Sequence, residues 1–189
     1  MATLMAYFNA MKAVVTLGAS ANNACRKEMQ NVVGKLSDEL DRALSLSDSY
    51  LVGVQFSKDD KEMAQYLSDS GQKLMGSFYE HHICAGLYHL ADEFQQIFNL
   101  KRYSLSITKF NAIPKLIREL KDGERAVLDD LDDMVQQMQT LGSKLRSAKG
   151  AKKTQTKVEI GEAVEHHRKS IAKHRKKIKS MRRTVIDSL

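Results

Sequence analysis

Residues 157–189 carry two interleaved seven-residue repeats, and this pattern constrains the fold more than any other feature of the chain. The two series are Val164, Ile171, Ile178 and Val185, and Ile160, His167, His174 and Met181. Side chains repeated in this way form one narrow stripe along a helix, which is the pattern of a coiled-coil strand. The stripe takes two positions in seven, whereas a globular-core helix normally takes about three. We therefore expect a helix from about 157 to 187 with both flanks in water.

Similar apolar spacings predict three earlier helices, at about 2–46, 57–99 and 115–148. The first has a heptad seam that includes Cys25, Met29, Val32, Leu36 and Leu40. The third has a seam of Leu120, Val127, Leu131, Met134, Met138, Leu141 and Leu145, with Asp129, Asp130, Asp132 and Asp133 on its solvent side. A serine-rich break at 45–49 and an apolar packed connector at 50–56 are expected to follow the first helix. Ser57, Asp59 and Asp60 supply acceptors and favourable charge for the start of the second. The stretch 99–113 fits either an irregular piece or a weak helix. Pro114 then kinks a helix or starts one, because proline disfavours helical geometry in the residue before it.

Composition supports an all-helical chain. Proline occurs once and tryptophan is absent, and scarce proline disfavours a turn-rich β-sandwich or barrel. We predict an all-α fold of long antiparallel helices with coiled-coil packing, as an elongated three- or four-helix bundle. The expected organisation is a single helical domain over 1–189, with a basic tip loop at 147–156 and a basic C-terminal helix at 157–189.

The net charge of +7 is distributed unevenly. From Lys149 to Leu189 there are 13 Lys/Arg against 4 Asp/Glu, a net +9, so the preceding residues carry a net −2. A basic patch of this kind points to a polyanion, either lipid headgroups or nucleic acid. The candidate binding residues are Lys144, Arg146, Lys149, Lys152, Lys153, Lys157, Lys173, Lys176, Lys177, Arg182 and Arg183.

Other functional classes find little support in the sequence. No aromatic residues alternate with the C-terminal lysines and arginines, so base stacking on single strands is not indicated. No phosphate-binding or dinucleotide-binding glycine motif occurs, and no Glu-x-x-His pair marks a metal site. We expect no catalytic residue, no metal, no cofactor and no small-molecule substrate. Two cysteines without a close spacing, Cys25 and Cys84, fit a reducing, cytoplasmic compartment.

The histidines suggest two weaker hypotheses. Arg168 and His174 resemble the loose Arg-x(4–6)-His pattern of HEPN-type ribonucleases, in which the two side chains act on phosphate and 2′-hydroxyl. His167 and His174 also lie on the apolar stripe of the last helix. Protonation would place charge in that interface, so helix packing there is expected to depend on pH.

The order of features resembles the BAR-domain superfamily of membrane-curvature proteins, over roughly residues 20–180. Three stretches carry the resemblance: GLYHLADEFQQIF (86–98), NAIPKLIRELKDGERAVLDDLDDM (111–134) and KLRSAKGAKKTQTK (144–157). The last is similar to the lysine-rich distal tip of the inverse-BAR type. The resemblance implies an antiparallel three-helix coiled coil, a homodimer, and membrane binding through basic residues on the curved face and tips.

We therefore expect a non-enzymatic, membrane-binding helical scaffold, cytoplasmic and peripheral at the membrane. It would attach to anionic lipid through the basic tip and the C-terminal helix. One alternative is a helical-bundle interaction protein whose basic helix meets nucleic acid or an acidic protein. A minor alternative is the HEPN-like ribonuclease.

Overall fold

The computed structural model describes residues 23–80 and 113–188, together with Asn9, Lys12, Ala13, Val15, Thr16 and Gln96. This part of the chain is almost entirely helical and contains no strand, which confirms the all-α prediction for it. Its elements are α1 (Asn23–Gly53), a 3-10 turn (Val54–Phe56), α2 (Asp60–Glu80), α3 (Ile113–Ser147) and α4 (Ala151–Ser188). The helices predicted for 2–22 and 81–99, and the stretch 99–112, lie outside the described residues.

Helix α1 does not break at the serine-rich segment, and the break predicted at 45–49 is wrong. The hydroxyl of Ser47 donates to the carbonyl of Ala43 at 2.9 Å, and that of Ser49 donates to Ser45 at 3.0 Å. Each serine therefore satisfies its side chain one turn back, and the helix continues to Gly53. Serine disfavours a helix when its hydroxyl bonds to nearby backbone groups in a non-helical conformation, which is not the case here.

The start of α2 is fixed by reciprocal capping, as the acidic residues there predict. The carboxylate of Asp59 accepts a hydrogen bond from the backbone N–H of Glu62 at 2.8 Å. The Glu62 carboxylate in turn accepts from the backbone N–H of Lys58 at 2.7 Å. Two of the N–H groups that a helix start leaves without partners are thereby satisfied. The segment between the 3-10 turn and α2 is consequently held at both ends.

Pro114 is the second residue of α3 as described, in the first turn, where a missing N–H costs nothing. The seam predicted for this helix is confirmed from residue 131 onward. Its buried members are Leu131, Met134, Met138, Leu141 and Leu145. Asp129, Asp130 and Asp133 lie on the exposed side, as expected.

The chain divides into two compact units. Unit 1 comprises Met1–Asp41, His82–Leu128 and Lys176–Leu189, and unit 2 comprises Arg42–His81 and Asp129–Arg175. The stripe predicted for α4 is buried in part in each unit, because His167, His174 and Met181 of the second series are only half-buried. Ile160, Val164 and Ile171 in unit 2, and Ile178 and Val185 in unit 1, are all at most 5 % exposed.

Within unit 2, α2 and α3 are antiparallel neighbours. The Gln139 side chain donates to the carbonyl of Ser68 at 3.3 Å. A methyl group on Gly142 would lie 3.0 Å from Leu67, and one on Gly71 would lie 3.1 Å from Val135. As residue numbers increase along α2, the numbers of the facing residues on α3 decrease, so the two helices are antiparallel. The two glycines allow close approach, because a larger residue at either would press on the facing helix.

Within unit 1, the end of α4 packs against α1 in the same antiparallel sense. The Gln30 side chain donates to the carbonyl of Ile186 at 3.0 Å, while the Arg182 side chain passes Gly34. Met29, Val33 and Leu40 of α1 are buried in this unit. Of these, Met29 and Leu40 belong to the seam predicted for the first helix.

Candidate polyanion-binding surface

The connection between α3 and α4 is shorter than the loop predicted at 147–156. Helix α3 ends at Ser147 and α4 begins at Ala151, so only residues 148–150 are not helical. Gly150 has a positive φ of 55°, a conformation that glycine adopts without strain. One glycine is enough to reverse the chain here, and the lysine-rich residues that follow it are free to continue as helix. We call residues 144–157, which include the predicted tip loop at 147–156, the basic tip.

The first turns of α4 orient the lysines of the basic tip in different directions. The backbone N–H of Lys153 donates to the carbonyl of Gly150 at 3.0 Å, which closes the first turn. Thr156 is buried and its hydroxyl donates to the carbonyl of Lys152 at 2.9 Å. Thr156 faces inward and Lys153 beside it is half-buried, whereas Lys152 and Lys157 are exposed.

Two lysines of the basic tip share one carboxylate. The Asp60 carboxylate, at the start of α2, lies 2.9 Å from the Lys153 ammonium and 2.8 Å from that of Lys157. Hydrogen bonds from Lys157 and then from Lys153 hold the pKa of Asp60 below its usual value. The charge of these two lysines is therefore partly neutralised within unit 2. The contact also brings the start of α2 beside the first two turns of α4.

Four other cations of the basic tip stand out into solvent. Lys144, Arg146, Lys149 and Lys152 are exposed, and none forms an ion pair with the residues that the structure describes. Lys144 and Arg146 occupy the last turn of α3, where the helix dipole favours positive charge. These four side chains are available to an external anion without the rupture of an internal pair.

The C-terminal helix divides in the same way. In unit 2, Lys173 is exposed, while the Arg168 guanidinium donates to Asp48 of α1 at 2.9 Å. In unit 1, Lys176 and Arg183 are exposed. Lys177 is exposed but has an interaction of its own, and Arg182 is paired with the carboxylate of Asp38. The flanks of α4 are therefore only partly free. Carboxylates of α1 hold one guanidinium in each unit.

In the structure, both residues of the HEPN-like pair have interactions of their own. The Arg168 guanidinium donates to Asp48, so an incoming phosphate would have to displace a carboxylate. His174 lies half-buried on the seam side of α4 and also has an interaction. No group of three His, Cys, Asp or Glu side chains in the described part of the chain lies close enough to hold a metal ion.

His167 occupies a packed position, as its place in the seven-residue series predicts. Its Nε2 lies 2.8 Å from the side-chain oxygen of Gln137 on α3, and the His166 ring lies edge-on at 5.5 Å. Burial, with a smaller contribution from the charge of His166, lowers the pKa of His167 below its ordinary value. The neutral imidazole is therefore the form that the fold accommodates.

An open groove of about 570 Å³ borders the basic tip in unit 2, and nothing in the sequence indicated it. Val54 and Met63 form one apolar side and Ile160 and Val164 the other. Lys157, Glu165, Arg168 and Lys169 form a charged rim. Lys169 pairs with Glu165 one turn away, so these rim charges are largely balanced.

Two features of this region were missed by sequence reasoning. The partners Asp48 and Asp60 lie about a hundred residues from the cations they bind, and helical spacing signals only neighbours three or four positions apart. Phe56 was placed in a packed connector, but it is 77 % exposed. Its polar neighbours Ser57, Lys58 and Asp59 were the available signal.

None of the described helices combines the length and the apolar character that a membrane crossing needs. Comparisons with protein-family models, with curated proteins and with solved structures give no match to this chain.

Proposed function

We propose that this protein is a non-enzymatic helical scaffold that attaches to anionic membrane surfaces through its basic tip, with the C-terminal helix contributing. The observation that carries the proposal is the division of the tip cations. Asp60 holds Lys153 and Lys157, while the other four cations lie at the end of α3 and around its connection to α4 and form no ion pair within the described part of the chain. The long helices would pack as an antiparallel coiled-coil bundle, peripheral at the membrane and cytoplasmic. The BAR-like order of features adds homodimerisation and association with curved membrane.

The expected strength follows from the number of free cations. Each Lys or Arg near an anionic bilayer contributes about 1 kcal/mol, attenuated by salt. Three tip lysines together would supply about 3 kcal/mol, which is roughly a hundredfold in affinity. Paired lysines contribute less, because their charge is already opposed by a carboxylate close by.

Co-sedimentation with vesicles tests the proposal. Wild-type protein should sediment with phosphatidylserine-containing vesicles at low salt, and much less at high salt or with phosphatidylcholine alone. The tip variant, with Lys144, Lys149 and Lys152 changed to Gln, should lose most of this binding. A variant with Lys173, Lys176 and Arg183 changed to Gln should lose a smaller part.

A charge-matched control separates the tip from net charge. Lys27, Arg42 and Lys73 are exposed elsewhere on the chain, and their change to Gln removes the same charge. This control should bind vesicles as wild type does. Equal loss in the control and the tip variant would refute a localised site. Binding to duplex DNA or RNA without binding to anionic vesicles would identify a nucleic acid, and not a membrane, as the partner.

A further inference from the structure

The segment that joins α1 to α2 presents an exposed aromatic ring. Val54 is buried at 3 %, and two positions later Phe56 is 77 % exposed, the most exposed large apolar side chain in the described part of the chain. The N–H of Ser57 donates to the carbonyl of Val54 at 3.4 Å, and Asp59 caps α2. The segment is thus fixed by an inward anchor on one side and a cap on the other. Phe56 points outward as a consequence of this geometry.

This segment lies beside the basic tip. Asp60, four residues after Phe56, contacts Lys153 and Lys157 of α4. Val54, two residues before Phe56, lies across the apolar groove from Ile160. Lys153 is itself bonded through its backbone to Gly150 of the α3–α4 loop. Both helix connections of unit 2 therefore lie at one end of that unit.

The charges around Phe56 favour an anionic surface. Lys58 and Lys61 on its own segment are exposed, as are Lys149 and Lys152 at the neighbouring connection. Asp59, Asp60 and Glu62 carry negative charge in the same region, where Asp60 is paired with Lys153 and Lys157. Together with Lys58, Lys61, Lys149 and Lys152, these lysines outnumber the three carboxylates by three, so this end of unit 2 is net basic. An aromatic side chain next to flexible lysines suits the lipid–water interface, where the ring enters the boundary of the acyl chains and the ammonium groups remain with headgroups.

We propose that Phe56 inserts into the interface of an anionic bilayer when the basic tip docks, so that unit 2 meets the membrane with the end that carries both connections. The inference rests on the proposed function, since the cations bring the ring to the surface. On duplex DNA the ring would enter only by unstacking a base step, which costs free energy, whereas the acyl boundary of a bilayer accepts an aromatic ring directly. The ring therefore adds a component of binding that salt does not screen.

A single-tryptophan variant tests the insertion directly. The chain contains no tryptophan, so Phe56→Trp reports from this position alone. Its emission should shift to shorter wavelength with phosphatidylserine-containing vesicles, and lipids brominated on the acyl chains should quench it. A matched reporter at Gln72→Trp, an exposed position in the middle of α2, should show neither effect. Phe56→Ala should weaken vesicle binding about tenfold, mostly the part that persists at high salt.

The outcomes distinguish this inference from the proposed function. If wild-type protein does not bind anionic vesicles, the proposed function fails and the insertion fails with it. A second outcome overturns only the insertion: binding is salt-sensitive and lost in the tip variant, but the emission of Phe56→Trp neither shifts nor is quenched, and Phe56→Ala binds as wild type does. Because Phe56 is exposed, its substitution should leave the helical circular-dichroism signal unchanged, which excludes unfolding as the cause.

Discussion

Gly53→Ala is expected to destabilise the protein by clashing with one tyrosine. Gly53 is the last residue of α1, with right-handed helical geometry at φ −58° and ψ −26°. An added methyl group would overlap the hydroxyl oxygen of Tyr66. The rigid Tyr66 ring must therefore swing away. It would lose its hydrogen bond to the carbonyl of Tyr50, now 3.1 Å, and its stacking on the Tyr50 ring at 5.9 Å.

The magnitude follows from what is lost and what is gained. A hydrogen bond contributes about 0.5–1.5 kcal/mol, and a stacked aromatic pair about 0.5–1.5 kcal/mol. Alanine recovers about 0.5–1 kcal/mol over glycine in a helix, because glycine loses more backbone entropy on folding. The net result is a loss of about 1 kcal/mol in the free energy of unfolding, or roughly 2–4 °C in Tm for a chain of this size.

A double-mutant cycle decides whether Tyr66 is the cause. In a Tyr66→Ala background the clash is absent, so Gly53→Ala should stabilise by about 0.5–1 kcal/mol. The control is Gly76→Ala, where an added methyl group meets nothing within 4 Å, and which should stabilise in either background. Free energies from urea unfolding give all four corners of the cycle. Equal destabilisation by Gly53→Ala with and without Tyr66 would refute the reasoning.

Two further predictions concern charge. Asp60→Asn should release Lys153 and Lys157 and raise affinity for anionic vesicles in co-sedimentation. Asp133→Asn makes the same charge change at an exposed site on α3 and should have a smaller effect; equal gains would contradict the role of pairing. The pKa of His167 is lowered in the folded state, so the unfolded state takes up a proton first as the pH falls. The contribution of His167 to the free energy of unfolding should therefore be fully present above about pH 6.5 and decrease below it. His167→Gln should remove this part of the pH dependence of Tm while His166→Gln retains it, and an unchanged profile in His167→Gln would contradict the assignment.

The helical character of the chain and the buried side of α4 could be read from the sequence, because a seven-residue apolar repeat leaves a helix one way to bury its stripe. Ile171 and Ile178 lie in the core for this reason. The ends of the helices were harder to predict. Residues 45–49 contain three serines, which usually favour turns, but Ser47 and Ser49 bond to their own helix. The polar composition of this segment therefore predicted a break at 45–49, whereas α1 continues through it.

The candidate site was predictable in part. Its cations were evident from composition, and Lys144 and Lys149 are exposed as expected. Their division into paired and unpaired groups could not be inferred, because it depends on which helices become neighbours. Arg182 and Asp38, for example, are 144 positions apart in the chain and meet across α1 and α4 within unit 1. The exposure of Phe56 depends likewise on the fixed geometry of one short turn.

The pairing pattern also bears on how net charge should be interpreted in this protein. The excess of +9 after residue 148 suggests that every C-terminal cation serves an external partner, yet Lys153, Lys157 and Arg168 are bound by aspartates of unit 2. These pairs are partly exposed, so salt weakens them. An anionic surface would compete for the same ammonium groups, and Lys153 could exchange Asp60 for a headgroup at little cost. Membrane binding would then weaken the ion pair between Asp60 of α2 and Lys153 of α4, close to Phe56. Salt and anionic lipid would therefore act on the same ion pair.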